Sequence, residues 1–179
     1  MTHNIEHIHC TGWFDAGDHV KFNFPMSFSA TMLAWGFIDY SHAYWNAGEY
    51  DRMLDSLKWV YSYLMAAHPS KYEIHMQVGD GFVDHAVWGR PEDMEMNRPT
   101  FTLNQTAPGS DLAAETAAAL ATCYIIFKSE DPEYASRCIS HARDLYDFAT
   151  EYKAKYSDSS PQAELEIHPE NHPSGWLSG

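Results

Sequence analysis

At 179 residues the chain has room for one domain with a substantial hydrophobic core and not for two comfortable ones. Its 25 acidic against 11 basic residues, a formal net charge of -14, argue against nucleic acid and anionic membranes as partners and suit a neutral substrate. Aromatic residues make up 15% of the chain, with 6 Trp and 11 Tyr; they can fill a Trp-rich core and, beyond it, line a site for a flat or ring-shaped ligand.

Residues 1–11 are polar and carry His3, His7, His9 and Cys10, donor types that bind zinc or copper. No second ligand cluster stands at metal-site spacing, so this segment reads as a tail. The three cysteines, Cys10, Cys123 and Cys138, form no CxxC pair, and an odd count permits at most one bridge. Cys123 and Cys138 lie in neighbouring helical patterns, where either can also serve as a small buried residue. The first residues hold no apolar core of the kind an export signal has, and no apolar run reaches the length of a membrane span. Compartment is therefore not readable from the residues themselves.

The run from Trp13 to Met26, WFDAGDHVKFNFPM, places Asp15 and Asp18 around Ala16 and Gly17. Small residues between the acids let a bulky ligand approach the backbone, and two close carboxylates have coupled protonation. The same four residues are also good turn chemistry, in which Asp bonds only its own backbone. Taken alone, the run leaves both readings open.

Helices follow. Ser27 or Ser29 can cap one that extends to about Asn46, stopped by Gly48, and its apolar residues on nearly all sides predict deep burial. A second spans about Tyr50 to Ala67 and ends at His68-Pro69. A third, Ala-rich and suited to close packing, runs from about Asp111 to Lys128, capped by Ser110 or Asp111. Asp131 as cap and Pro132 in the first turn open a fourth that ends near Lys155. No two-residue alternation competes with these patterns, so the chain reads as all-α, built of antiparallel helical hairpins. Between the second and third helices, roughly 69–109 lacks periodicity yet carries QVGDGFVDHAVWGRPEDMEMNRP. A loop this long, this rich in large apolar residues, reads as a second wall of a site.

An acidic loop, a His/Trp/Arg loop and abundant aromatics together suggest carbohydrate. Sugar rings stack their C–H faces on Trp and Tyr, while hydroxyls pair with Asp, His and Arg. The run GWFDAGDHVKFNFPMSFSATMLAWG, continuing through AHPS, QVGDG, DHAVWGRPEDM, PGSDLAAETAAALA and HARDLYDFATEYKAKYSDS, resembles the N-terminal part of the catalytic domain of glycoside hydrolase family 9, the cellulases or endo-β-1,4-glucanases. The resemblance covers about residues 12–158 and leaves 1–11 and 159–179 as divergent tails. It implies part of an (α/α)6 barrel, long active-site loops and inverting hydrolysis of β-1,4-glucan in an open cleft.

Carried over by position, the resemblance makes Asp18 the base that deprotonates the attacking water, Asp15 the companion that holds that water, and His85 and Trp88 part of the sugar cleft. Val87 stands where the family often has a second tryptophan. Arg98 and Asp111 are expected to be structural supports. The family's general-acid glutamate lies beyond the matched region, so turnover by these residues alone is expected to be negligible. No cofactor is implied; the acidic segment that binds calcium in some relatives is not matched. The family acts mostly outside the cell. Four helices of a roughly twelve-helix ring would leave apolar flanks open to self-association. A non-catalytic glucan-binding remnant and a helical interaction module are the alternative readings.

Overall fold

The computed structural model describes residues 10–160. The His3, His7 and His9 grouping, most of the 1–11 tail and most of the 159–179 tail lie outside the described residues. In chain order the elements are β1 (Lys21–Phe22), α1 (Asn23–Ala47), α2 (Tyr50–Ala66), β2 (Ile74–Val78), α3 (Gly81–His85), a 3-10 turn (Pro91–Asp93), β3 (Thr100–Leu103), α4 (Ser110–Phe127), α5 (Pro132–Glu151) and α6 (Tyr156–Ser159). Helix dominates, as expected, and α1/α2 and α4/α5 form the two hairpins.

The helix limits follow local chemistry. Gly48 ends α1 in the left-handed conformation, at φ 72°. Asp131 caps α5, its carboxylate accepting from the Tyr134 amide at 3.1 Å, with Pro132 in the first turn. The Lys58 ammonium meets the Asp131 carboxylate at 2.8 Å and ties α2 to the start of α5. The expected serine caps of α1 are not used, because the helix begins earlier, at Asn23. Ser27 instead lies buried inside it, bonded to Asn23 Oδ1 at 3.2 Å and to the Thr116 hydroxyl at 3.1 Å. Asn23 in turn donates to the His75 carbonyl at 2.9 Å. This buried polar chain locks α1 to α4 and to β2, and the alanines beside it (Ala30, Ala34, Ala113, Ala117) allow the helices to approach closely.

Two expectations need correction. The segment 69–109 is not loop throughout: β1, β2 and β3 form a small antiparallel sheet in that order, with Lys21 opposite Val78, Phe22 opposite Gln77, and Ile74 opposite Leu103. Met76, Gln77 and Val78 are all buried, so β2 shows no in-out alternation for the eye to find. Helix α1 is not buried all round. Met26, Ala30, Ala34 and Phe37 face the core at helical spacing, while Phe28, Met32, Leu33 and Trp35 are exposed.

Helix α4 has the length and mean hydropathy of a membrane span, which the sequence reading did not register. Half of it is buried inside this domain, against α1 and α5, as a core helix is. Among the described residues the cysteine count is settled as one bridge: Cys123 of α4 and Cys138 of α5 form a disulfide across the hairpin, 15 residues apart, and Cys10 is free. Closing a loop of that size restricts the unfolded chain by about 3 kcal/mol. Reduction with dithiothreitol is expected to lower the urea unfolding free energy by about that amount, without unfolding the helices in buffer. Identical urea curves with and without reductant would show that the bridge adds nothing.

Candidate active site

The aspartate loop and the 80–88 segment are brought together by the sheet. β1 fixes the end of the loop next to β2, and α3 begins three residues after β2 ends. Asp80 caps α3, accepting from the amides of Phe82 at 2.9 Å and Val83 at 3.2 Å, which sets the direction of Asp84 and His85. Asp84 is buried and accepts from the His19 amide at 3.0 Å. His19 Nδ1 also lies 3.4 Å from the same Asp84 oxygen, but its alignment does not make a hydrogen bond.

His85 Nε2 stands between two carboxylates, 3.4 Å from Asp18 Oδ2 and 3.9 Å from Asp84 Oδ2. Residues 67 positions apart are thereby in direct contact. The other Asp18 oxygen, Oδ1, is buried and accepts no hydrogen bond from any described residue. Trp88, largely exposed, lays its ring against Gly17: a Cβ there would come within 3.2 Å of the indole. Trp88 thus reaches the middle of the aspartate loop, and Gly17 is what admits it. Val87 beside it is exposed.

Asp15 differs from Asp18 in setting. Its amide donates to the Val20 carbonyl at 3.2 Å, closing the loop on itself, and the residue is exposed. Loss of hydration first, and the nearby Asp18 charge second, raise its carboxyl above the ordinary aspartate value. A recess of about 110 Å³ opens beside it, lined by Trp13, Phe14, Phe22, Pro25, Met26 and Ser29. Asp18, His85 and Trp88 do not line this recess. The structure therefore joins Asp18 to His85 and Gly17 to Trp88, and sets Asp15 to one side.

The loop is braced from below by residues to which the sequence reading gave no site role. Lys21 is buried, with its ammonium 5.5 Å from the centre of the Phe14 ring and 5.4 Å from that of Tyr63, and it donates to the Thr11 carbonyl. Burial first and the Arg98 charge second push it down to about 8. Arg98 donates to the His19 carbonyl at 2.8 Å and lies against the same Phe14 ring, 5.3 Å from its centre. Gly12, at φ 83°, sits against the Tyr63 ring, where any Cβ would come within 2.6 Å. Asp111 accepts from the Leu112 and Tyr156 amides at 3.0 Å, a structural support away from this site. Asp84, quoted in DHAVWG but given no role of its own, is the omission that matters. Its burial was not visible in the residues, although its place beside His85 was.

One donor atom each from Asp18, Asp84 and His85 falls within 4.8 Å of the others, so these three are the group at the site that could hold a metal ion. Two of the donors already face each other across His85 Nε2, and Asp84 is committed to the His19 amide. The imidazole thus contacts Asp18 directly, with the buried Asp84 carboxylate near the same nitrogen but just beyond hydrogen-bond range.

Residues 7–171 match the family model for glycosyl hydrolase family 9. The chain belongs to glycosyl hydrolase family 9. The matched span is wider at both ends than the motif-bearing 12–158. Among curated relatives, Endoglucanase B of Cellulomonas fimi is 53% identical over 147 residues, covering 82% of this chain and 14% of that protein. Endoglucanase A of Bacillus pumilus is 47% identical over 161 residues, covering 90% and 24%. The endoglucanase structure from the termite Nasutitermes takasagoensis superposes with a TM-score of 0.83 at 48% identity, over 93% of this chain and 37% of that one. The cellulase Cel9M of C. cellulolyticum, also solved in complex with cellobiose, gives 0.79 at 31% identity over 92% and 42%. The family 9 chain is thus part of an (α/α)6 barrel, and it spans about a seventh to a quarter of the length of these two curated relatives.

Two outcomes follow from the site. In a carbon-detected NMR titration, the Asp15 carboxyl is expected to titrate above the usual aspartate range. Asp18→Asn should move it down only part of the way, since lost hydration is the larger cause; a complete return to the ordinary value would reverse that order. Lys21→Met is expected to cost about 1–3 kcal/mol in urea unfolding, because it leaves the Thr11 carbonyl without its donor and removes the cation from between two rings. An unchanged midpoint would show that the brace is dispensable.

Proposed function

We propose that this family 9 chain is the base-bearing part of an endoglucanase that hydrolyses β-1,4-glucosidic bonds with inversion. In this reading Asp18 is the general base toward the attacking water, Asp15 helps hold that water, and His85 and Trp88 bind the glucan. The observation that carries it is the contact between the two loops: Asp18 with His85 at 3.4 Å, and Gly17 under the Trp88 ring. A base must be aimed at its water, and the imidazole beside Asp18 fixes the direction of that carboxylate. A sugar ring needs a flat apolar face next to that base, and an exposed tryptophan over the loop offers one.

Inverting hydrolysis needs a second carboxyl group roughly 6.5–9.5 Å from the base, on the far side of the glycosidic bond, to protonate the leaving oxygen. Asp15 is three residues from Asp18 on one loop and is suited to share the base's water rather than to face it across a sugar. Lost hydration first, and the nearby Asp18 charge second, raise the Asp15 carboxyl, which fits a companion group close to the base. The acid therefore comes from outside the described residues, and residues 10–160 alone supply binding and base but not turnover. The relatives named above are endoglucanases, and one neighbour is solved with cellobiose, which supports β-1,4-glucan as the substrate. The Cys123–Cys138 bridge suits an oxidising compartment, in keeping with work outside the cell. Exposed Phe28, Met32, Leu33 and Trp35 on α1 form the flank through which the chain would meet the rest of a barrel or, without it, a second copy.

The test is a chimaera in which residues 12–158 replace the corresponding part of the termite endoglucanase. It is expected to release reducing ends from a soluble cellulose derivative. Asp18→Asn should lower kcat about 10²–10⁴-fold, the usual worth of a positioned base. Trp88→Ala should mainly raise KM. Full activity in the Asp18→Asn chimaera would overturn the assignment, and cellohexaose binding without cleavage would favour a binding remnant.

A further inference from the structure

A second cluster lies in the groove between α2 and α5 and shares no residue with the aspartate loop. His68, just past the end of α2, and His141, in the middle of α5, place their Nδ1 atoms 2.8 Å apart. The rings meet edge to face at 70°. They form part of the wall of a recess of about 380 Å³, which Ser62, Met65, Tyr134 and Arg137 also line. His68 is 4% exposed; its Nε2 makes no well-aligned hydrogen bond to a described residue, and the Lys71 backbone is a further polar neighbour of the ring. The deeply buried ring is thereby held with its Nδ1 against that of a second imidazole.

We propose that His68 and His141 form a binding site for a divalent transition-metal ion of tetragonal preference, copper(II) or nickel(II) in type. The distance selects the geometry. Two nitrogens 2.8 Å apart subtend roughly 85–90° at an ion about 2.0–2.1 Å from each, the cis angle of a square-planar or octahedral centre. A tetrahedral zinc ion would need them roughly 3.3 Å apart. The recess has volume for the water ligands that complete such a centre. The carbonyl end of α2 and the charge of Asp144, one turn beyond His141, both favour a cation; Arg137, one turn before it, opposes one. Burial first, and the neighbouring imidazole second, hold His68 down at about 4, and burial lowers His141 too, so both rings stand in the neutral, ligating form. On binding, the proton now shared between the Nδ1 atoms moves to the Nε2 of the ring that carried it, and no proton leaves the site.

The probe is copper(II) alone, titrated into the full chain carrying His3, His7, His9, His168 and His172 changed to Ala and Cys10 to Ser, so that neither terminal histidines nor the exposed thiol, which reduces copper(II), compete. We expect one equivalent to bind with an axial electron paramagnetic resonance spectrum showing two equatorial imidazole nitrogens. The ring resonances of His68 and His141 should broaden selectively, a readout that needs no substitution in the groove. His141→Ala should weaken binding at least roughly tenfold. Broadening confined to His85 or other histidines, a spectrum with one nitrogen, or unchanged affinity in a folded His141→Ala chain would overturn the site. None of these readouts depends on glucan hydrolysis.

Discussion

The pairing of Lys21 and Phe22 with Val78 and Gln77 is the constraint on which the site depends. It is only two residues long, yet it joins the end of the aspartate loop to the strand from which α3 departs. Asp18 and His85 meet because each lies within seven residues of that pairing, one before it and one after. The sheet is held in turn by the buried Asn23 bond to the His75 carbonyl, and so by the polar chain that ties α1 to α4. A short strand pair anchored in a helical core places the two loops more firmly than loop contacts alone would.

Charge under the loop has a matching logic. Lys21 and Arg98 are two cations packed against the same Phe14 ring, below a loop that carries Asp15 and Asp18. Neither makes an ion pair with those aspartates; each binds a backbone carbonyl, of Thr11 and His19 respectively. The loop is therefore fixed by its main chain, and its carboxylates take no part in that bracing.

What could be read from the residues was local or strongly patterned. Gly48, Asp131 and Pro132 announce helix ends by backbone chemistry that needs no tertiary partner, and the DAGD and DHAVWG runs point to one family wherever they fold. The sheet was not legible because β1 is too short to show a period and β2 is buried on both faces. The Cys123–Cys138 bridge depends on which faces α4 and α5 turn to each other, and helical spacing alone leaves that open. Asp84 escaped for a similar reason: an acid beside a histidine in a loop looks solvated until the cap at Asp80 turns it inward.

Helix α1 shows how a correct pattern can be given the wrong consequence. Its apolar residues lie on nearly all sides, and burial all round is the ordinary inference. Here one side packs against α2, α4 and the sheet, while Phe28, Met32, Leu33 and Trp35 stay in solvent. The chain covers 37% of the termite endoglucanase to which it superposes, so a helix in a closed ring of that kind has neighbours these residues do not include. The apolar outer face of α1 therefore lies where a closed ring would set a neighbouring helix. The aspartate loop, by contrast, is braced from within this part of the chain, through Lys21, Arg98 and the pairing of β1 with β2, and is well formed here.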